Sequence, residues 1–365
     1  MIRPAPAIAA IPPMTPFIGP EQLMRESGRD HLVRLGANES AFGPAPSAVE
    51  AMTAELPRIS WYGDPESYAL REALAIKHGC RVEELVVGAG IDDLMGLVVR
   101  AFAGAGGTVL TTRGTYPTLN YHAVGYGSRL VYAEYRDDGR LDLEALVEVA
   151  RREKPGVVYL ANPDNPSGTF VDKIEMQRFF DALPHDAVLL LDEAYADFVD
   201  EGALLDAYLE DRLIRTRTFS KAYGMAGARI GYAIATESTI ATLQKIRLHY
   251  GVNRTEQVGA LASLADEPFK RYVVDAVAAA REDYYRIARE LQLPYLESRT
   301  NFVCIDVGTV ERANRVLAEL LARGVWIRKP GLPPLDRFIR VSAGTEPMRR
   351  AFEEAFRAVL EEVGT

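Results

Sequence analysis

Short runs of β-branched residues and leucine recur along the chain from Leu85 onward. They are LVVG (85–88), TVLTT (108–112), RLVYAEY (129–135), GVVYLAN (156–162), AVLLLDEAY (187–195), LIRTRTFS (213–220) and RIGYAIA (229–235). Several lack the apolar/polar alternation of a half-exposed strand, the pattern of strands covered on both faces. Between them lie amphipathic stretches such as IDDLMGLVVRAF (91–102), LDLEALVEVARRE (141–153) and KIEMQRFFDAL (173–183), which predict helices. Strands alternating with helices predict an α/β domain built on a mostly parallel sheet of seven strands. Ligands of such sheets sit at the carboxyl ends of the strands.

After about residue 240 the pattern changes. A long helical stretch covers 267–293, followed by a strand in TNFVCIDV (300–307) and a helix in VERANRVLAELLARG (310–324). Short strands in VWIRK (325–329) and FIRVSAG (338–344) precede a closing helix over 346–363. This half reads as a smaller α+β domain. The expected division is an N-terminal arm over 1–30 that packs with the small domain, a large domain over 31–250 and a small domain over 251–365. The arm, MIRPAPAIAAIPPMTPFIGP, is apolar but broken by proline, so it reads as extended and not as a signal helix.

Composition narrows the function. The 365 residues suffice for a large core and two domains. A formal net charge of -9 with no basic run argues against nucleic acid or an anionic membrane as partner. No apolar run is long enough to span a bilayer, and a cytoplasmic location is expected. Cys80 and Cys304 form no CxxC pair and read as small buried hydrophobes. The five histidines show no metal-ligand spacing, so no metal is expected.

The candidate chemistry lies at strand ends. In TFSKAYGMAGARIGYAIA (218–235), Lys221 stands among small residues with Arg229 eight positions on. Gly88-Ala89-Gly90 ends one strand just before a helix that begins near Ile91 or Asp92, and free amides at a helix start favour a phosphate. Asp192 follows an apolar run, where a carboxylate is costly unless paired, and Tyr195 comes three residues later. In YLANPDNPSGTF a strand ends at Asn162 and a proline-stiffened loop follows. Taken singly, each has a plain alternative: a tight turn, a core ion pair, a loop. Together, the acid, amide, tyrosine, lysine, arginine and phosphate-ready helix start suit pyridoxal 5'-phosphate.

At these residues the chain resembles the fold-type I pyridoxal-phosphate aminotransferases, and among them the histidinol-phosphate aminotransferase family. The likeness runs nearly end to end, through RLGANESAFGPAP (34–46), WYGDPESYALREALA (61–75), GAGIDDL (88–94), NPDNPSG (162–168), DEAYADF (192–198), SKAYGMAGARIGY (220–232) and FIRVSAG (338–344). It implies that Lys221 forms the imine with the cofactor and later moves the proton, and that Asp192 keeps the pyridine nitrogen protonated. It implies that Asn165 and Tyr195 bond the phenolic oxygen and that Tyr116 stacks on the ring. The phosphate is expected on the amides of Ile91 and Asp92, the Ser220 hydroxyl and Arg229. Tyr62 is expected to reach the phosphate of a neighbouring subunit, hence a homodimer with intersubunit sites. Arg340 is expected to grip the substrate carboxylate as a bidentate fork, with Asn38 and Arg328 near the substrate.

The chain departs from the family pattern in places. The loop usually written NPNNPTG has Asp164 and Ser167; Gly63 stands inside the stretch that usually reads YPDP; Phe17 replaces a tyrosine of the arm. These changes leave the chemistry intact and bear on the substrate. The expected reaction moves an amino group from a small amino compound, histidinol phosphate first, to 2-oxoglutarate. The alternatives are an aromatic amino acid aminotransferase, a lyase similar to threonine-phosphate decarboxylases, and a cofactor-binding regulator, against which the complete catalytic set argues.

Overall fold

The computed structural model describes residues 2–9, 11, 18–205 and 210–363. Phe17 lies outside the described residues. In chain order the strands are β1 (Val33–Arg34), β2 (Leu85–Gly88), β3 (Thr108–Thr112), β4 (Arg129–Ala133), β5 (Val157–Ala161), β6 (Val188–Asp192), β7 (Leu213–Thr218), β8 (Gly231–Ile234), β9 (Tyr295–Leu296), β10 (Phe302–Asp306), β11 (Val325–Trp326) and β12 (Phe338–Ser342). The seven runs read from the sequence are the seven strands of the main sheet, in the order β2-β8-β7-β6-β5-β3-β4. Only β8 runs against its neighbours, pairing antiparallel with β2 and β7.

Burial on both faces explains the apolar runs. Leu189 and Leu191 of β6 enter one core with Leu110, Leu160 and Leu213, while Leu190 enters the opposite core with Val109, Tyr159 and Ile214. Helices cover both faces, and two of them start at aspartate caps. Asp142 accepts from the Ala145 amide, and Asp172 accepts from those of Ile174 and Glu175.

A second sheet, β12-β10-β9, is antiparallel and carries a third core with Val303, Ile305, Ile339 and Val341. Two elements cross the divisions expected from the sequence. Strand β1 pairs in parallel with β11, so the chain at residue 33 is bonded to the chain at residue 325. The helix Glu267–Glu290 places Val273, Val277 and Ala280 in the first core and Tyr284, Ile287 and Ala288 in the third.

The arm differs from the extended segment expected. It contains helices Pro6–Ala9 and Pro20–Ser27. Proline at the first helical position lacks only an amide that has no partner there anyway, so Pro20 starts a helix where the sequence reading took proline as a breaker. Gly28 ends that helix at φ 67°, a left-handed conformation open to glycine. Arg29 Nη2 then donates to Ala322 O at 2.5 Å. Among the described residues no helix is long and apolar enough to cross a membrane, and no cluster of ligating side chains could hold a metal.

Candidate active site

The carboxyl ends of β5, β6 and β7 meet the start of the helix Ile91–Val98 and the end of β12. Asp192 closes β6 and is 5% exposed. Tyr159, one strand over, donates its hydroxyl to Asp192 Oδ2 at 2.8 Å, and the Ala194 amide donates to Oδ1 at 3.0 Å. No cation bonds it. Burial therefore dominates and pushes the carboxyl up to about 6, against the pull of these two donors.

Lys221 follows β7. Its Nζ donates to Asn38 O at 3.0 Å and lies 5.5 Å from the centre of the Tyr195 ring. Desolvation, then the charges of Arg340 and Arg229, brings its ammonium down to about 8, against Asp192 and Glu39. Asn38 is buried with φ 54° and ties this corner together. Its amide Nδ2 donates to Tyr195 Oη at 3.0 Å, its backbone amide donates to Ser342 Oγ at 3.0 Å, and its carbonyl also accepts Asn301 Nδ2 at 2.9 Å. Burial pushes the Tyr195 phenol up to about 12.

A second corner is cationic. Gly90 precedes the helix Ile91–Val98 at φ 83°, and no side chain caps that helix start. A Cβ on Gly90 would stand 2.6 Å from Arg229 Nη2, so glycine is what lets the guanidinium approach the free amides of Ile91 and Asp92. Arg229 Nη2 donates to Asp92 Oδ2 at 3.1 Å, and Tyr116 donates its hydroxyl to Asp92 Oδ1 at 2.9 Å. Ser220 Oγ lies 3.4 Å from Arg229 Nη1 and accepts Thr218 Oγ1 at 2.9 Å.

A third corner joins the two sheets. Arg340 of β12 donates Nη1 to Asn165 Oδ1 at 2.6 Å and Nη2 to Gly36 O at 3.4 Å, while its Nε is buried with no acceptor. The Arg328 and Arg340 backbones exchange two hydrogen bonds, which brings both arginines to this edge. Burial and the Arg340 charge lower the Arg328 pKa. Beneath Asn165, the buried Asp164 accepts the Tyr135 hydroxyl and the amide and hydroxyl of Ser167. The two residues that depart from the family loop are thus bonded to each other.

The structure brings together Lys221, Asp192, Tyr195, Asn38, Asn165 and Arg340, and gathers Ile91, Asp92, Tyr116, Ser220 and Arg229 beside them. Tyr62 stands apart. It is 75% exposed and stacks on Tyr250 with ring centres 4.3 Å apart. Sequence reading did not find Tyr159, Asn301 or Ser342. Each is a polar residue set in or beside an apolar run, a signal that becomes readable only with the strand register. The set fits a phosphorylated pyridine aldehyde: a buried acid lacking a cation, a lysine near neutrality, and a glycine-admitted arginine at a free helix start.

Comparison with known proteins agrees. The sequence model of the family described as aminotransferase class I and II matches residues 30–356. A histidinol-phosphate aminotransferase of Geobacillus thermodenitrificans is 34% identical over 357 residues, covering 95% of each chain. The crystal structure of histidinol-phosphate aminotransferase from Sinorhizobium meliloti in complex with pyridoxal-5'-phosphate is 41% identical, with TM-score 0.95, covering 100% of this chain and 99% of that one. A Thermus thermophilus aspartate aminotransferase mutant, 22% identical with TM-score 0.80 over 99% of this chain and 100% of its own, shares the fold. The chain belongs to the class I and II aminotransferases and is a fold-type I, pyridoxal-phosphate-dependent transaminase.

Proposed function

We propose that this transaminase takes its amino group from histidinol phosphate, a step of histidine biosynthesis, and passes it to 2-oxoglutarate. The observation that carries the reading is the meeting of Lys221 and Asp192 with the Arg340–Arg328 edge. It sets an amine, a carboxyl and the Arg340 guanidinium near one another, with Arg328 paired to Arg340 along the backbone. The relatives named for histidinol phosphate support the choice of donor.

Bound pyridoxal phosphate supplies an electrophilic carbon for the amine and a ring that accepts the electrons released at Cα. The residues do the rest. The amides of Ile91 and Asp92, Ser220 Oγ and Arg229 hold the phosphate, and Tyr116 stacks on the ring. Asp192 would accept the ring N–H, which would give its buried carboxylate a cationic partner. Asn165 and Tyr195 bond the phenolic oxygen. Lys221 Nζ, brought down to about 8, would take the proton released at Cα and return it to the cofactor carbon that receives the amine. The donor carries a phosphate and no α-carboxylate, while the acceptor carries carboxylates, and guanidinium forks suit both. Arg340 binds the acceptor carboxylate, Arg328 the donor phosphate, and Asn38 steadies Tyr195 beside both.

The surface around Tyr62 supports a homodimer. Trp61, Tyr62, Ile59, Leu248 and Tyr250 are exposed large hydrophobics close together in sequence or space. A second copy covers them, and Tyr62 then reaches the phosphate of the partner's site. The test is a half-reaction. Holoprotein is mixed with candidate amines without any oxo acid, and the visible band of the cofactor is followed. The expected result is loss of the band with histidinol phosphate and not with phenylalanine or threonine phosphate. Loss with aromatic amino acids alone, or release of CO2 from threonine phosphate, overturns the choice of donor.

A further inference from the structure

Asp192 is followed at once by Glu193, which leaves the strand end on the opposite face. The Glu193 amide donates to Thr216 O at 2.9 Å and carries the β6–β7 ladder one residue past β6. Its carboxylate is 2% exposed and accepts Arg215 Nη2 at 2.8 Å on one oxygen and Arg217 Nε at 2.9 Å on the other. Arg215 Nε adds contacts of 3.1 Å to both oxygens. The arginines, 5% and 6% exposed, alternate along β7 on one face, and Arg217 stands in the segment that continues through Ser220 to Lys221. Nearby His78 bonds Tyr232 Oη at 2.9 Å. Burial and the charges of Arg217, Lys77 and Arg215 hold that imidazole at about 3, so it adds no charge. Asp197 acts on Arg217 from outside the trio.

Three buried charges gain little stability over apolar side chains of the same volume. They do fix geometry. Past Glu193 no backbone bond joins β6 to β7, so the separation of the two strand ends is left to side chains. We propose that Glu193, gripped by Arg215 and Arg217, is a positioning residue that sets the end of β6 bearing Asp192 against the end of β7 leading to Ser220 and Lys221. The inference rests on the roles of Asp192 and Lys221 proposed above.

Stability and position separate in an apolar variant carrying Glu193→Leu, Arg215→Met and Arg217→Met. The holoprotein is expected to melt within a few degrees of wild type. The pH midpoint of its visible band is expected to move by about half a unit or more, with kcat down about tenfold and KM within about twofold. Arg217→Lys keeps the charge and loses the fork, and is expected to move the midpoint in the same direction by less. A wild-type midpoint and kcat in the apolar variant overturn the proposal, and if that variant does not fold, a wild-type midpoint in Arg217→Lys overturns it. Lys221→Ala separates the two readings: a band that keeps the wild-type position and pH midpoint in it overturns the site itself, and with it this inference.

Discussion

Two carboxyl groups follow one another at the end of β6, and the protein treats them in opposite ways. Asp192 faces Tyr159 and the Lys221 corner with only a hydroxyl and an amide for donors, and burial lifts it to about 6. Glu193 faces the other side, where Arg215 and Arg217 hold it below the usual carboxylate range despite equal burial. Burial alone therefore does not decide the charge of a carboxyl; the partners on its own face do. The group left short of a cation is the one proposed above to meet a ring N–H. The group already satisfied is scaffold.

The largest effect comes from emptying the front face. Lys221→Ala leaves the Glu193 ion pairs untouched, so the fold is expected to persist while turnover falls by about four orders of magnitude. Wild-type turnover in that variant would remove lysine from the chemistry. Next come paired amide substitutions in cofactor-free protein, which are expected to differ in sign. The folded pKa of Glu193 is depressed, so its charge contributes stability above the ordinary 4.5 that is lost as pH falls. Glu193→Gln breaks a buried pair and is expected to cost about 3–5 kcal/mol at pH 7.5.

Asp192 runs the other way. Its folded pKa is raised from the ordinary 3.8 to about 6, so the protein is relieved of the penalty below pH 4 and carries it in full above pH 6. Asp192→Asn is expected to stabilise the cofactor-free protein at pH 7.5 by up to about 3 kcal/mol, the gain fading between pH 6 and 4. Denaturant melts at three pH values measure both, and a gain independent of pH would refute the assignment. The smallest effect lies at the edge of the site. Arg340→Ala is expected to raise KM for 2-oxoglutarate about tenfold and to cost less for an amino alcohol phosphate. Equal losses for both would make Arg340 a phosphate ligand or a structural residue.

The seven strands were legible because buried strands leave continuous apolar runs, and the front face was legible because its polar residues interrupt those runs at their ends. The back face was partly written in LIRTRT, where arginines two apart must share a face of the strand. Reading them as a clamp needed the register that sets Asp192 opposite Thr216. Asn38 was placed near the substrate from its motif, but its bonds join chain positions about 160 to 300 residues apart, and no local pattern encodes those. The arm misled for a local reason: proline breaks a helix from inside and starts one from its first turn.

The Asn38 carbonyl holds two donors at once, Lys221 Nζ at 3.0 Å and Asn301 Nδ2 at 2.9 Å. An acceptor with one partner exacts the full desolvation penalty when that partner leaves, whereas an acceptor with two stays satisfied. Lys221 is thus parked on an oxygen that does not need it. When the chemistry proposed for Lys221 draws it away, the oxygen it vacates keeps its remaining bond, and the departure costs little.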